Sequence, residues 1–413
     1  MSAQQKCNGA VMRDQGMNRD IFRVLTTQFL TAFADNAVLF TAITMVMLQS
    51  DIGSWYIPAL QASFLVAYVV IAPWVGRFAD ARPKPKVMFG ANLIKAAGAA
   101  MLLLNIEPLI AYAMIGLGAA AYSPAKYGIL PELVDEKTDG NSLVKANSWI
   151  ESSTIVAILG GSLIGALVAN LSITLALGVV IALYLISAGV ALTIRHKLVV
   201  GSANGPALKN FFSQMRELLS TPRARFATLG VSLFWAAATV LRVLLVAWAP
   251  VVLMVDSTTD IAMLTMFVAI GIAIGSLLVP RLIPLGYLRR ARMAAYLMGA
   301  VIVILATVDN IWMARVALLL SGICGGLFVV PINAALQEIG HKTIGSGGAV
   351  AIQNFFENFA MLIASGLYAI VAGNGIDPVI TMAGLGLLVI IATVIVSWQL
   401  PKDSGELISR RRN

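Results

Sequence analysis

Charge is scarce in this chain. Of 413 residues only 12% are Asp, Glu, Lys or Arg, about half the share of a soluble domain. Cysteine and histidine are scarcer, with two of each. Cys7 sits in a polar tail and Cys324 in an apolar run, which excludes a disulfide framework and a cysteine-built metal centre. His196 and His341 fall at the ends of apolar runs, so no buried proton-relay histidine is expected. No metal or other cofactor is expected either. The polar first twenty residues contain no cleavable apolar segment; the first span itself should direct insertion.

What the chain has is apolar length. Hydrophobic residues make up 59% of it and the mean hydropathy is +0.86. Twelve spans are expected, at 22–48, 56–79, 86–105, 108–130, 144–169, 172–194, 226–252, 260–282, 289–307, 311–337, 346–372 and 377–399. The fold class is therefore all-α, polytopic and membrane-embedded. The net charge of +9 suggests a nucleic-acid partner only until its placement is examined. With the N-terminus inside, the cytoplasmic connections hold Arg77, Arg82, Lys84 and Lys86, then Lys126, Lys137 and Lys145, then Arg195 to Arg225, Arg281 to Arg292, and Lys342. The outer connections hold Asp51, Glu107, Asp256, Asp260, Asp309 and Asp377, and no Lys or Arg. That asymmetry is a topology signal, with some affinity for anionic lipid head groups. Both termini are placed in the cytoplasm.

The organisation expected is a cytoplasmic segment 1–21, a six-helix bundle 22–195, a linker 196–225, a second bundle 226–400 and a basic tail 401–413. Within the linker, Leu208, Phe211, Phe212, Met215, Leu218 and Leu219 repeat at helical spacing, which predicts an amphipathic helix along the cytoplasmic surface. The two bundles repeat each other. Pro73 and Pro280, Gly118 and Gly325, and Pro124 and Pro331 are all 207 residues apart. Six spans per unit give both repeats the same orientation, the parallel repeat of the major facilitator architecture.

The few charges inside the spans are the functional candidates. Asp35 lies about 12 residues past Arg23, roughly 18 Å into a ~30 Å hydrocarbon layer at ~1.5 Å per residue. An ionised group there costs roughly 2.5–3.5 kcal/mol, so it should face a cavity or the bundle interior. A structural ion pair locking two helices is the alternative role. Arg242 stands 207 residues after Asp35, so the two can meet across a central cavity. Glu151 and Glu357 are 206 apart, each one helical turn after an amide, Asn147 and Gln353. Lys95, in span three, is a further candidate or the neutraliser of a wall carboxylate. Asn36, Tyr122, Lys126 and Asn354 complete the candidate cavity set. Gly161-x-x-x-Gly165 and Gly271-x-x-x-Gly275 read as close-packing sites rather than ligand contacts.

Two resemblances follow from the motifs. Gly76-Arg-Phe-Ala-Asp80-Ala-Arg82-Pro-Lys84-Pro-Lys86 resembles the major facilitator loop G-x-x-x-D-(R/K)-x-G-(R/K)-(R/K), with Ala81 and Pro83 as departures. The resemblance implies a latch in which Gly76, Asp80 and Arg82 act, the Asp capping a helix and pairing with a basic residue. The counterpart Pro280-Arg-Leu-Ile-Pro284 has no acid. More specifically, Gln28-Phe-Leu-Thr-Ala-Phe-Ala-Asp35-Asn36, Ala119-Ala-Ala-Tyr-Ser-Pro-Ala-Lys-Tyr-Gly-Ile-Leu130, Val144-Lys-Ala-Asn147 through Glu151-Ser-Ser-Thr-Ile155, and Phe328-Val-Val-Pro-Ile-Asn-Ala-Ala-Leu-Gln-Glu338 resemble the bacterial lysophospholipid transporters. This implies inward movement of lysophospholipid across the bacterial inner membrane, coupled to a separate acyltransferase. An exporter of drugs or small amphipathic solutes is the alternative on the same scaffold. A membrane acyltransferase is disfavoured: at the spacing of a His-x-x-x-x-Asp pair, His196 meets Gly201 and His341 meets Ser346.

Overall fold

A backbone in hydrocarbon has no water to bond, and a helix satisfies each N–H and C=O within one segment. The computed structural model describes residues 19–47, 56–134, 141–195, 206–255, 258–283, 288–398 and 400, and every expected span is a long helix there. The first six are α1 (Arg19–Met47), α2 (Tyr56–Asp80), α3 (Lys84–Leu103), α4 (Pro108–Gly128), α5 (Asn141–Leu171) and α6 (Ile173–Leu192). The second six are α7 (Pro222–Leu253), α8 (Thr258–Leu282), α9 (Leu288–Leu305), α10 (Ile311–Lys342), α11 (Ser346–Gly373) and α12 (Pro378–Ser397). A short helix, Leu130–Leu133, follows α4, and the expected linker helix runs from Ala207 to Ser220. Eleven of the long helices are apolar enough to cross a membrane. The other, α9, has 18 residues with Arg289, Arg290 and Arg292 in its first turns. Long arginine stems at a helix end reach back to the interface, so these charges suit a span.

Local signals set several helix ends. Ser172 caps α6 through Leu175 N, Asn310 caps α10 through Trp312 N, and Asp377 caps α12 through Val379 N. Proline stands at the first or second position of α3, α4, α7 and α12, where its missing N–H is no loss.

The packing repeats as faithfully as the sequence. In the first half α1 packs on α5 and α6, α3 on α4 and α6, and α2 on α4. In the second, α7 packs on α11 and α12, α9 on α10 and α12, and α8 on α10. Between the halves, α2 meets α11 and α5 meets α8, two seams exchanged by the same two-fold relation. Gly161 and Gly165 lie against the α1 backbone at Phe33 and Ala37, and Gly271 and Gly275 against the α10 backbone at Leu319 and Ile323. Those four glycines permit close helix approach, as their spacing suggested. Large apolar side chains such as Trp74, Leu163, Leu388 and Ile395 remain exposed. Such surface is a liability in water and the expected finish in lipid.

The side-chain bonds between the halves cluster at one end, where α2, α4, α8 and α10 finish and α3, α5 and α11 begin. Ser148 Oγ donates to Ser276 O (2.5 Å), Ser152 Oγ to Ala273 O (3.3 Å) and Ser346 Oγ to Gly128 O (2.9 Å). This is the end bearing Arg77, Arg82, Lys84 and Lys342. The halves are therefore joined at the basic end.

Candidate functional site

Three polar centres stand out among the described residues. The first is internal to the first half. Lys95 of α3 donates to both oxygens of Asp35, at 3.0 and 2.8 Å, and Tyr184 Oη of α6 donates to Asp35 Oδ1 at 2.8 Å. Lys95 is fully buried, whereas the Asp35 side chain retains 22% of its exposure. The Lys95 ammonium also lies 5.0 Å from the ring centre of Tyr122, a cation–π contact. One turn below, Thr31, Asn92 and Ser187 form a buried hydrogen-bonded triangle. The expected encounter of Asp35 with Arg242 is thus replaced by an ion pair within one bundle. Asp35 is turned toward α3 and α6, and Lys95 supplies the counter-charge sooner than a residue across the cavity can.

Arg242 is exposed, and no hydrogen bond or ion pair joins it to the described residues. A guanidinium within a membrane-spanning helix is costly against lipid. Asn36 donates to Ala32 O of its own helix at 2.8 Å and joins no cluster.

The second centre crosses from half to half. Tyr127 Oη donates to Glu151 Oε1 (2.7 Å), and Asn333 Nδ2 of α10 donates to the same oxygen (3.3 Å). Gln353 Nε2 donates to Asn333 Oδ1 (2.8 Å) and to Glu357 Oε1 (2.5 Å). Glu151 and Glu357, expected to face each other, are the two ends of this chain of amides. Beside it Lys126 is buried, its ammonium 3.7 Å above the Tyr127 ring. Nearer the basic end Asn147 and Gln337 exchange a reciprocal pair of amide hydrogen bonds, 2.9 and 2.8 Å. The Asn354 amide nitrogen is buried with no hydrogen-bond partner among the described residues, and the Tyr122 hydroxyl is buried near Thr31.

The third centre is the latch. Helix α11 begins after Gly345, whose φ of +93° suits glycine and whose missing side chain cannot cap the helix. Asp80, from the opposite half, caps it instead: Oδ1 accepts from Gly347 N and Oδ2 from Gly348 N, both at 2.8 Å. Lys84 Nζ lies 3.6 Å from Asp80 and 2.5 Å from Glu132. The basic partner is therefore Lys84. Arg82 is exposed and stacks 4.0 Å over Phe78, because Pro83 ends the turn and leaves Lys84 to start α3 beneath the carboxylate. Gly76 is required by contact: a Cβ there would stand 2.8 Å from Ala351 Cβ and 2.9 Å from Gly348 Cα. The second half's loop after α8 lies partly outside the described residues.

Tyr127, Tyr184, Asn333 and Gln337 were not among the expected site residues. Asn333 and Gln337 stand four apart in α10, one turn on one face, and that spacing was the available signal. Tyr184 is the single tyrosine of a nearly all-apolar span.

Buried charges within and between two pseudo-symmetric membrane bundles, joined at one end, are the marks of a membrane carrier. The chain belongs to the major facilitator superfamily, whose family model matches residues 24–365. The solved structures agree on the fold: the E. coli fucose:proton symporter FucP has a TM-score of 0.72 at 14% identity, covering 92% of this chain and 98% of its own. The human organic anion transporter MFSD10 has a TM-score of 0.70 at 14% identity, covering 90% and 99%. Among curated relatives, the lysophospholipid transporter LplT of Photorhabdus laumondii is 43% identical over 90% of this chain and 93% of its own length. That of Klebsiella pneumoniae is 41% identical, covering 91% and 94%. Within the superfamily, the chain belongs to this LplT family.

Proposed function

We propose that this protein moves lysophospholipids, such as lysophosphatidylethanolamine and lysophosphatidylglycerol, from the outer to the inner leaflet of the bacterial inner membrane. The lipid enters sideways from the bilayer, the halves rock, and the head group is released where a separate acyltransferase can restore the second chain. In this reading the basic end is cytoplasmic, with both termini on that side, and the joining of the halves there corresponds to an outward-facing state. The observation that carries this reading is the division of labour among the charges. Arg242 is an exposed cation with no partner among the described residues, placed by this reading in the cleft, while Glu151 and Glu357 end the amide chain that crosses between the halves. A guanidinium binds a phosphate bidentately, and a carboxylate suits the ammonium of an ethanolamine head. The acyl chain gains nothing from those groups and lies along apolar wall residues, leaving through a gap toward lipid. One gap admits one chain, so a diacyl lipid is rejected on shape.

The test is reconstitution in liposomes, with inward movement of labelled lysophosphatidylethanolamine measured against a drug and a sugar. Transport of the lysolipid alone is expected, lost in Arg242→Gln. Transport of the drug in preference to the lysolipid would establish the exporter instead. Glu151→Gln or Glu357→Gln should impair ethanolamine heads more than glycerol heads, since only the former carry a cation. Equal loss for both lipids would remove these carboxylates from head-group recognition.

A further inference from the structure

The linker helix, Ala207–Ser220, lies across the α2–α11 seam. It packs on α2 of the first half and on α7 and α11 of the second. Its apolar stripe is divided. Leu208 and Phe212 are about half exposed, while Phe211 and Leu218 are buried. Only Thr221 separates this helix from α7, and that elbow is held by Arg225 N to Thr221 O (2.9 Å) and Arg225 Nε to Leu219 O (3.0 Å). The helix is therefore tied to the start of α7 as an arm of the second half.

The arm touches α11 at two heights: Gln214 at the first turn, which Asp80 caps, and Phe211 about two turns further along. The Phe211 ring meets the Phe355 ring edge-on at 5.7 Å, and Phe355 stacks on Phe359 at 5.8 Å. Gln214 Nε2 donates to Ile344 O (3.4 Å), just before the residues whose N–H groups Asp80 accepts. Gln214 Oε1 and Asp80 Oδ2 both lie near Gly348, at 3.5 and 3.6 Å from the place a Cβ would take. A glycine-rich turn, Gly345-Ser-Gly-Gly348, has little stiffness of its own. Ser346 ties the turn to Gly128 O of the first half, and Gln214 holds it from the other side.

We propose that Phe211 and Gln214 are positioning residues of the latch: the linker helix holds the α11 turn so that Gly347 and Gly348 N–H converge on Asp80. The linker thereby helps set the balance between the two faces of the carrier. This does not depend on which solute the carrier moves, only on its alternating between two states.

The experiment uses the full chain in liposomes, without Cys7 and Cys324 and with Ser152→Cys as reporter. Ser152 is buried where α5 meets α8, so a membrane-permeant maleimide reaches it only when the basic end opens. Gln214→Ala removes one neutral hydrogen bond and should raise the labelling rate about fivefold. Phe211→Ala should raise it at least as much, and Phe211→Leu should restore most of the original rate. In an Asp80→Asn background the same substitutions should add little, because they act through the cap already lost. Unchanged labelling in Gln214→Ala and Phe211→Ala would overturn the proposal. So would effects that persist in full without the Asp80 carboxylate, or a fall in melting temperature with no change in labelling. Should Phe211→Ala fail to fold, Gln214→Ala, which spares the packing, decides alone.

Discussion

Replacing Asp80 by Asn probes the latch with the smallest possible change of shape. The carboxylate accepts two backbone hydrogen bonds across the seam, both at 2.8 Å, and helix α11 has no side-chain cap of its own. An amide retains one acceptor oxygen and turns a donor toward the second N–H. The loss is one charge-assisted hydrogen bond, about 1.5–3 kcal/mol, plus the attraction of a negative charge for a helix N-terminus, ~0.3–1 kcal/mol. Lys84 keeps its 2.5 Å bond to Glu132, a contact within the first half that does not separate the two states. A net shift of about 2 kcal/mol toward the state open at the basic end follows, roughly 30-fold in the equilibrium. It acts on transport only because the bond exists in one state and not in the other. Maleimide labelling of Ser152→Cys reads the shift directly, and a rate within twofold of the parent would refute the reasoning. Asp80→Glu, which keeps the charge but lengthens the arm, should fall between the two.

Three further outcomes are expected. Lys95→Met leaves Asp35 without its cation and should lower stability by ~3–5 kcal/mol, seen as a large fall in melting temperature. The double variant Asp35→Asn/Lys95→Met should recover much of it, and additive losses would show that the pair is not coupled. Gly76→Val drives a side chain into Ala351 and Gly348, prising open the basic end; transport at the parent rate would count against the close approach. Asn147→Leu strands the buried Gln337 amide at about 1–3 kcal/mol, whereas Asn147→Leu/Gln337→Leu should be nearly neutral by thermal melting, and a double variant worse than either single one would contradict the reciprocal pair.

Hydropathy, the one-sided distribution of Lys and Arg, and the 207-residue offset are all properties of sequence position. For that reason the helices, the two-fold packing and the basic character of one end were readable in advance, whereas the joining of the halves at that end was not. Charges in apolar runs announce themselves by their cost, which is how Asp35, Glu151 and Glu357 were found. Their partners were harder. Asp35 and Arg242 share a register in the repeat, but partner choice depends on rotation about the helix axis, ~100° per residue, and on side-chain direction. A pattern of offsets contains neither. Neutral groups such as Asn333, Gln337 and Tyr184 carry no comparable cost and so leave a faint trace. Lys84 took the place expected of Arg82 because Pro83 decides where α3 starts, a matter of one residue.

The charges of the first two polar centres together with Arg242, leaving the latch aside and counted at their ordinary ionisation, have an electrical consequence. Asp35, Glu151 and Glu357 supply three anions, and Lys95, Lys126 and Arg242 three cations. An empty carrier built this way moves no net charge of its own through the membrane field. A zwitterionic ethanolamine lipid adds none, so its transport rate should ignore the membrane potential. A glycerol head group brings one uncompensated phosphate, on which the field acts with ~2.3 kcal/mol per 100 mV. The same protein would then be indifferent to voltage with one lipid and sensitive to it with the other, and a potassium diffusion potential across the liposomes would separate the two.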